Sequence, residues 1–493
     1  MVMSIIISLY LILFITHFII RSWWKQNRYK SLPPGPTPIP VLGTPKYMDL
    51  RYAKRNFTKL SQKYGSVFTI WKKSEPVIVL CGYDTVKDGL MDNAECFCER
   101  PYIPVVYNFS KGYDVNGPRW RSLRRFTVDF LRKYGMGKKV MEMRILEESK
   151  YLVQAVAESG GKVFNPTMAL SCAVGNTMGG MMFGLHFDYK DKQLHDLLFS
   201  ITKHIRGFVS PLSTVCNSLP ILLKIPYIRQ KVFQNTEYIL RFVAESVKHH
   251  KENLNPESPK DFIDYFLLKI KEVENEVDPD FCDTSLPAMV LTTLAAGTET
   301  TAASLKFIVV LLAHYPEVQA KVQQEIDEAT KNLRQPEIAD RPQMPYTYAV
   351  IHEIQRVLDI APTALFHAVN QEVKFRGYTI PKGTTVIPFL TSVLMDPSQW
   401  ETPEEFNPRH FLTEDGQFRN QLAFMVYSAG KRVCPAENMA RMELFLFISA
   451  LLQKFTFILP PGTKLQDAKF LNLHKTEILL FAEIRAEPRM LSK

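Results

Sequence analysis

Phe424-Met-Val-Tyr-Ser-Ala-Gly-Lys-Arg-Val-Cys434-Pro-Ala-Glu437 places a single thiol at the start of a helix-like stretch. Gly430 stands four residues before it and Arg432 two before. Read as a helix start, Cys434 takes an N-cap-like position, Pro435 the first helical position and Glu437 the third. The free amides at such an end, its positive dipole, and Lys431 and Arg432 beside it all favour thiolate over thiol. A thiolate fixed this way is a ligand for a soft or intermediate metal. Most cysteines are simply small buried hydrophobes. The case therefore rests on the whole pattern: aromatic, Ser, any residue, Gly, any residue, Arg, any residue, Cys, then Pro-Ala.

That pattern resembles the haem-thiolate loop of the cytochrome P-450 family. Tyr427 stands where the family places Phe, and Ala436 where Gly is commoner. Tyr keeps the ring but adds a hydroxyl near the sulfur, a change that bears on haem redox potential rather than on haem binding. The resemblance covers nearly all of residues 33 to 490. It implies a non-covalent haem b with Cys434 as its axial thiolate, an arrangement that pushes electron density toward O–O cleavage. The implied fold is mainly α with a small β-rich lobe, the haem lying between a long central helix and the cysteine loop, behind an N-terminal transmembrane helix.

The 493 residues are 46% hydrophobic and 22% charged, an ordinary globular composition. No low-complexity tract, repeat or Gly/Ser-rich spacer divides them. The chain therefore reads as a membrane anchor over 1–22, a basic and proline-rich hinge over 23–40, and one catalytic domain over 41–493. Val2 to Ile20 is apolar apart from Ser4, Ser8, Tyr10, Thr16 and His17, and is long enough to span a bilayer. Trp23 and Trp24 follow at the interface, with Arg21, Lys25, Arg28 and Lys30 around them. A cleaved signal peptide would want a charged start and a shorter apolar core. The positive flank after the span puts the bulk of the protein on the cytosolic side. Leu32-Pro-Pro-Gly-Pro36, then Pro38 and Pro40, form a stiff extended arm, as in microsomal members of the family. These are enzymes of the endoplasmic reticulum membrane.

Seven cysteines, at 81, 96, 98, 172, 216, 282 and 434, include no Cys-x-x-Cys. This argues against a disulfide framework, a zinc site and covalent haem. Asn56-Phe-Thr58 and Asn108-Phe-Ser110 match the glycan acceptor pattern and should stay bare in a cytosolic domain. The net charge is +10, but no arginine-rich arm carries it. An anionic membrane surface or an acidic protein partner fits better than nucleic acid.

Val67 to Trp71 and Val77 to Cys81 read as a hairpin, and Val373 to Phe375 and Thr384 to Phe389 as short strands flanking Gly377–Gly383. Pro316 opens a helix with Val318, Val322 and Ile326 on one face; Pro345 opens another that runs to Leu358. Ser285 to Tyr315 is a long, mostly apolar segment, the pattern of a helix buried through a large domain.

That helix contains Ala296-Gly-Thr-Glu-Thr-Thr301. A carboxylate and threonines are costly to bury without partners, and each hydroxyl can bond back to its own helix. Beside Cys434, the segment resembles the family's oxygen-binding groove. Gly297 then lets the helix approach dioxygen, Thr300 hydrogen-bonds to the oxygen being activated, and Glu299 relays protons, with Thr301 expected to pack. Glu353 and Arg356 share a helix face. Pro403-Glu-Glu-Phe-Asn-Pro-Arg-His-Phe411 resembles the family segment whose basic residue, here His410 or Arg409, completes a buried triad with them. Trp120 and Arg124, four apart on one face, match the family's Trp-x-x-x-Arg for the haem propionates. Arg100, His367 and Arg432 align with further propionate contacts, although Leu365-Phe366 precedes His367 where Pro is common.

Arg121, Arg125, Arg132, Lys133, Lys138, Lys139 and Lys431 are expected on the haem-loop side. The chain has no Gly-x-Gly-x-x-Gly fingerprint for a dinucleotide. The resemblance implies electrons from NADPH–cytochrome P-450 reductase, with cytochrome b5 a further candidate, steered by that basic face. The substrate is a hydrophobic small molecule such as a xenobiotic, steroid or fatty acid, lined by residues including Phe109, Phe208, Phe366 and Phe470. Two rival readings keep the haem: a peroxide isomerase needing neither reductase nor dioxygen, and a non-enzymatic haem binder. Glu299 and Thr300 favour the monooxygenase.

Overall fold

Val67–Lys72 and Glu75–Leu80 are β-branched and aromatic runs that pair as the expected hairpin, β1 and β2, in a register from Val67↔Leu80 to Lys72↔Glu75. A computed structural model of the chain describes residues 31–113, 115–274, 280–463 and 482–489, with Leu9, Thr16, His17 and Ile20 besides. The rest of the expected anchor, with Trp23, Trp24 and the basic flank, lies outside the described residues, as does Phe470. The chain divides into two compact units, one of 1–101, 361–403 and 422–434, the other of 102–360, 404–421 and 435–493.

The first unit is built on a four-stranded sheet. Helix α1 (Ala53–Tyr64) lays Phe57 against Phe68 and Phe389, with ring centroids 6.0 and 5.3 Å apart. Beside β2 runs β7 (Thr385–Pro388), parallel to it, and β4 (His367–Ala368) pairs with β7 on the outer edge. The expected link between strands at 377–383 is itself half strand. β5 (Val373–Phe375) and β6 (Tyr378–Ile380) form a tight hairpin, because Arg376 and Gly377 both take positive φ, the geometry of a two-residue turn. The proline arm does not dangle. Thr69 donates its amide to the Pro34 carbonyl and its hydroxyl to the Pro33 carbonyl, at 2.9 and 2.7 Å. A Cβ on Gly35 would stand 1.9 Å from the Thr69 oxygen, so only glycine permits this approach.

The second unit is helical. Its elements used below are α2 (Gly117–Tyr134), α3 (Thr167–Phe183), α4 (Lys192–Gly207), α5 (Ser285–His314), α6 (Pro316–Thr330), α7 (Pro345–Leu358) and α8 (Glu437–Lys454). A small sheet joins β3 (Val163–Phe164), β9 (Ile484–Pro488) and β8 (Phe455–Ile458). Among the described residues, α5 is the one helix long and apolar enough to cross a bilayer, but 72% of its apolar window is buried inside the protein. It is the core helix that its composition predicts, packed by α3, α4, α7 and α8. Val318, Val322 and Ile326 are the buried stripe of α6, as their spacing requires.

Candidate active site

The cysteine loop is shaped by two residues in left-handed backbone, Ser428 at φ 63° and Gly430 at φ 69°. A Cβ on Gly430 would sit 1.7 Å from the Leu90 carbonyl oxygen, so the loop seats on 88–92 only because that side chain is missing. Ser428 has no such freedom, and its conformation is strained. A single 3-10 turn, Gly430–Arg432, follows, and the Cys434 amide donates to the Tyr427 carbonyl at 3.0 Å. Cys434 is half-buried.

Cys434 does not cap the helix. Helix α8 starts at Glu437 and Ala436 is its N-cap, without a side-chain cap bond. The amide that a cap would leave outside the helix is drawn back into the loop by Tyr427. Glu437 is therefore the first helical residue rather than the third and forms no capping box; its Oε1 accepts from Arg441 one turn on, at 2.8 and 3.0 Å.

Three of the expected propionate residues share the first unit. Arg432 is buried and donates from Nε to the Cys98 carbonyl at 2.6 Å. Arg100 donates to the carbonyls of Leu365 and Phe366 at 2.6 and 2.9 Å. His367 is buried, and its Nδ1 lies 2.6 Å from the Phe97 carbonyl. A carbonyl accepts only, so Nδ1 carries the proton. Its Nε2 is buried with no partner among the described residues. Burial, then the Arg100 and Arg432 guanidiniums, push the imidazole down to about 3. A buried polar atom without a partner, in a field made positive by two arginines, fits the carboxylate of a haem propionate once the anion draws a proton onto Nε2 and makes it a donor.

The remaining candidates belong to the helical unit. Trp120 is buried on α2 and Arg124 lies 5.8 Å over its ring, so one face presents both, as the i, i+4 spacing requires. Arg121, Arg125, Arg132 and Lys133 are exposed on the same helix, and Lys138 and Lys139 are exposed just beyond it. Not all of this charge is free: Lys139 pairs with Glu337 at 2.6 Å and Arg132 stands 3.8 Å from Asp129.

On α5, the Thr300 hydroxyl is exposed and donates to the Ala296 carbonyl at 2.7 Å, while Ser304 donates to the Thr300 carbonyl at 2.8 Å. The bond back to the helix, expected of Thr301, is thus made by Thr300, because a hydroxyl on a helix reaches the carbonyl four residues before it. The Thr300 oxygen keeps its acceptor capacity. A Cβ on Gly297 would stand 2.7 Å from the flexible end of Met178 on α3, which occupies the space beside the glycine. Glu299 is held by a residue that nothing local in the sequence marks. Thr202, from α4, donates its hydroxyl to Glu299 Oε2 at 2.6 Å. Nearby on the chain, Phe109 and Phe208 stack at 5.4 Å with His204 edge-on to both.

The expected triad forms inside the helical unit. Arg356 and Glu353 are both fully buried and joined by two bonds of 2.7 and 2.8 Å. His410 Nδ1 stands 3.2 Å from Glu353, the Asn407 amide donates to the same carboxylate at 2.8 Å, and Arg356 donates to the Glu405 carbonyl at 2.7 Å. His410, not the exposed Arg409, is the third member.

A model of the cytochrome P450 family matches residues 33–481. Cytochrome P450 2C29 of Mus musculus is 42% identical over 451 residues, 90% of this chain and 92% of its own. Cytochrome P450 2C7 of Rattus norvegicus is 40% identical over the same shares, and cytochrome P450 2C8 of Homo sapiens 41% over 450 residues, again 90% and 92%. The chain belongs to the cytochrome P450 family and is a haem-thiolate monooxygenase that acts on hydrophobic substrates with a redox partner.

Proposed function

We propose, for this member of the cytochrome P450 family, that Cys434 would hold the haem iron through its thiolate and that Arg100, Trp120, Arg124, His367 and Arg432 would hold the haem propionates. The observation that supports it best is the buried, unpartnered His367 Nε2 with Arg100 and Arg432 bearing on the same ring. When bound, the haem supplies dioxygen activation at an iron whose thiolate ligand favours O–O cleavage.

The chain's own residues supply the protons and the order. Glu299 is the carboxylate of the relay, and Thr202 fixes its orientation from α4. Thr300 works as an acceptor. With its proton on Ala296, its oxygen lone pairs hold a water or a substrate hydroxyl in line, and its proton moves only when the bond to the helix opens. Apolar walls such as Phe109 and Phe208 exclude bulk water and select hydrophobic small molecules: xenobiotics, steroids or fatty acids.

The electron donor is NADPH–cytochrome P-450 reductase, with cytochrome b5 as a second donor, docking on the exposed basic residues Arg121, Arg125, Lys133 and Lys138. The protein works at the endoplasmic reticulum membrane through an anchor over 1–22 and a hinge over 23–40, with the catalytic domain 41–493 on the cytosolic face. Reconstitution with reductase, lipid and isotopically labelled dioxygen tests the reading. One labelled oxygen atom should enter the product, only with NADPH and reductase present. Unlabelled product formed from a peroxide without reductase would establish the isomerase instead.

A further inference from the structure

Helix α8 begins three residues after Cys434, with only Pro435 and Ala436 between. Proline fixes its own φ, so the cysteine and the first turn of α8 are joined by a short covalent link with one torsion already set. What holds that first turn is therefore part of the ligand's geometry. The capping box that would have held it is absent. In its place, Glu437 is clamped by Arg441, and the Arg441 guanidinium also donates to Nε2 of His352 on α7.

His352 suits that duty. It is 2% exposed. Its Nδ1 lies 2.7 Å from the Tyr348 carbonyl, an acceptor, so Nδ1 carries the proton and Nε2 offers a lone pair to the guanidinium. Tyr348, Phe418 and Phe411 surround the ring, with centroids 4.2, 4.8 and 5.4 Å away, so it cannot swing out. Burial, Arg441 and Arg341 hold its protonation far below the ordinary histidine range, keeping Nε2 an acceptor. The next residue is Glu353, locked with Arg356 and His410. One helix thus carries both anchors, one for the 405–410 segment and one for the start of α8.

We propose that His352, acting through Arg441 and Glu437, is a positioning residue for the Cys434 ligand loop. The proposal rests on the assignment of Cys434 as the haem ligand. Without the histidine acceptor, Arg441 keeps Glu437 but loses this bond to α7, and the first turn of α8 is held less firmly. The thiolate then leaves the iron or takes up a proton more often, although the fold is intact.

The test uses full-length, haem-loaded protein and two variants at one position. His352→Phe fills the aromatic cage but offers no acceptor; His352→Gln returns an acceptor near the Nε2 position. After reduction under carbon monoxide, the red-shifted Soret band of a thiolate ligand is followed over time. His352→Phe should lose it about tenfold faster than wild type, as expected for losing one hydrogen bond to a charged group. His352→Gln should decay within about threefold of wild type, well short of that one-bond loss. Amide exchange over 437–444, measured on the same samples and on haem-free protein, should rise in the Phe variant and be restored by Gln. If His352→Phe does not fold, Arg441→Met carries the same expectation of faster loss. Equal decay rates for wild type, His352→Phe and Arg441→Met would overturn the proposal, as would a Gln variant as unstable as the Phe variant. A wild type that holds haem without the thiolate band would instead overturn the ligand assignment beneath it.

Discussion

His352 and His367 are the same residue in the same burial, each 2% exposed, each with Nδ1 on a main-chain carbonyl. They differ at Nε2. In the helical unit, His352 Nε2 meets the Arg441 guanidinium; in the β-rich unit, His367 Nε2 meets nothing among the described residues. A buried polar atom left unmade is costly. At His352 the buried pair is closed within the helical unit itself. At His367 the atom stays open in the field of Arg100 and Arg432, and it is the one proposed to meet a haem propionate. The contrast separates stability from ligand binding, and it can be broken at either end.

The largest effect should come from the closed end. Glu353→Ala strands Arg356 at full burial, and breaking such a pair costs about 3–5 kcal/mol. Denaturant unfolding should show this loss equally in haem-free and haem-loaded protein. A loss confined to the loaded form would mean that the triad belongs to the ligand site.

Thr300 lies between the extremes, with its donor used and its acceptor kept. Thr300→Val should leave NADPH oxidation running while product per NADPH falls by about 10² and peroxide accumulates, the scale of one hydrogen bond made in the transition state. Thr301→Val should leave that ratio near wild type. Reversal of the two results would move the relay by one position and release Glu299 from it.

At the open end, His367→Phe should change the unfolding free energy of haem-free protein by about 1 kcal/mol or less. Haem transfer to an apo-globin acceptor should nevertheless speed up about tenfold, the worth of one hydrogen bond to a carboxylate. Comparable haem retention in both proteins would show that Nε2 is not reserved for a propionate.

The last effect concerns pH; it is small near neutrality and grows with acid. Both histidines are held neutral by burial and by neighbouring arginines. The unfolded chain binds a proton at each below its ordinary pKa of about 6.5, and the fold does not. Stability of the haem-free protein should therefore be fully present above about pH 6.5 and fall on acidification, by up to about 1.4 kcal/mol per pH unit per site. For His367 the fall continues down to about 3. Haem binding should reduce the His367 share, because donating Nε2–H to a carboxylate requires the imidazolium while Nδ1–H stays on Phe97. Proton uptake on haem binding, read in buffers of different ionisation enthalpy, checks this directly.

The sequence made the local devices legible. The hairpin at 67–80, the buried helix at 285–314 and the face shared by Glu353 and Arg356 follow from periodicity or short spacing, while His410 rests on the family resemblance of its segment, with Arg409 as the alternative. What escaped depends on partners far along the chain. Thr202 meets Glu299 across 97 residues and His352 meets Arg441 across 89, and no local pattern marks either. Gly297 was legible as a close approach but not as one made by Met178. Cys434 failed as an N-cap because a loop carbonyl, Tyr427, competes for its amide, and tertiary contacts decide that competition. The β6 strand was hidden inside what reads as a turn, since its three residues are too few to show alternation.

The central claim is that Cys434 is a thiolate ligand to haem, and the carbon monoxide complex of the reduced protein tests it most directly. Wild type should show the strongly red-shifted Soret band that a thiolate opposite carbon monoxide produces. Cys434→Ser should lose that band completely and keep the helical circular dichroism of the fold. A wild-type protein that binds haem without the band, or a serine variant that retains it, would contradict the account.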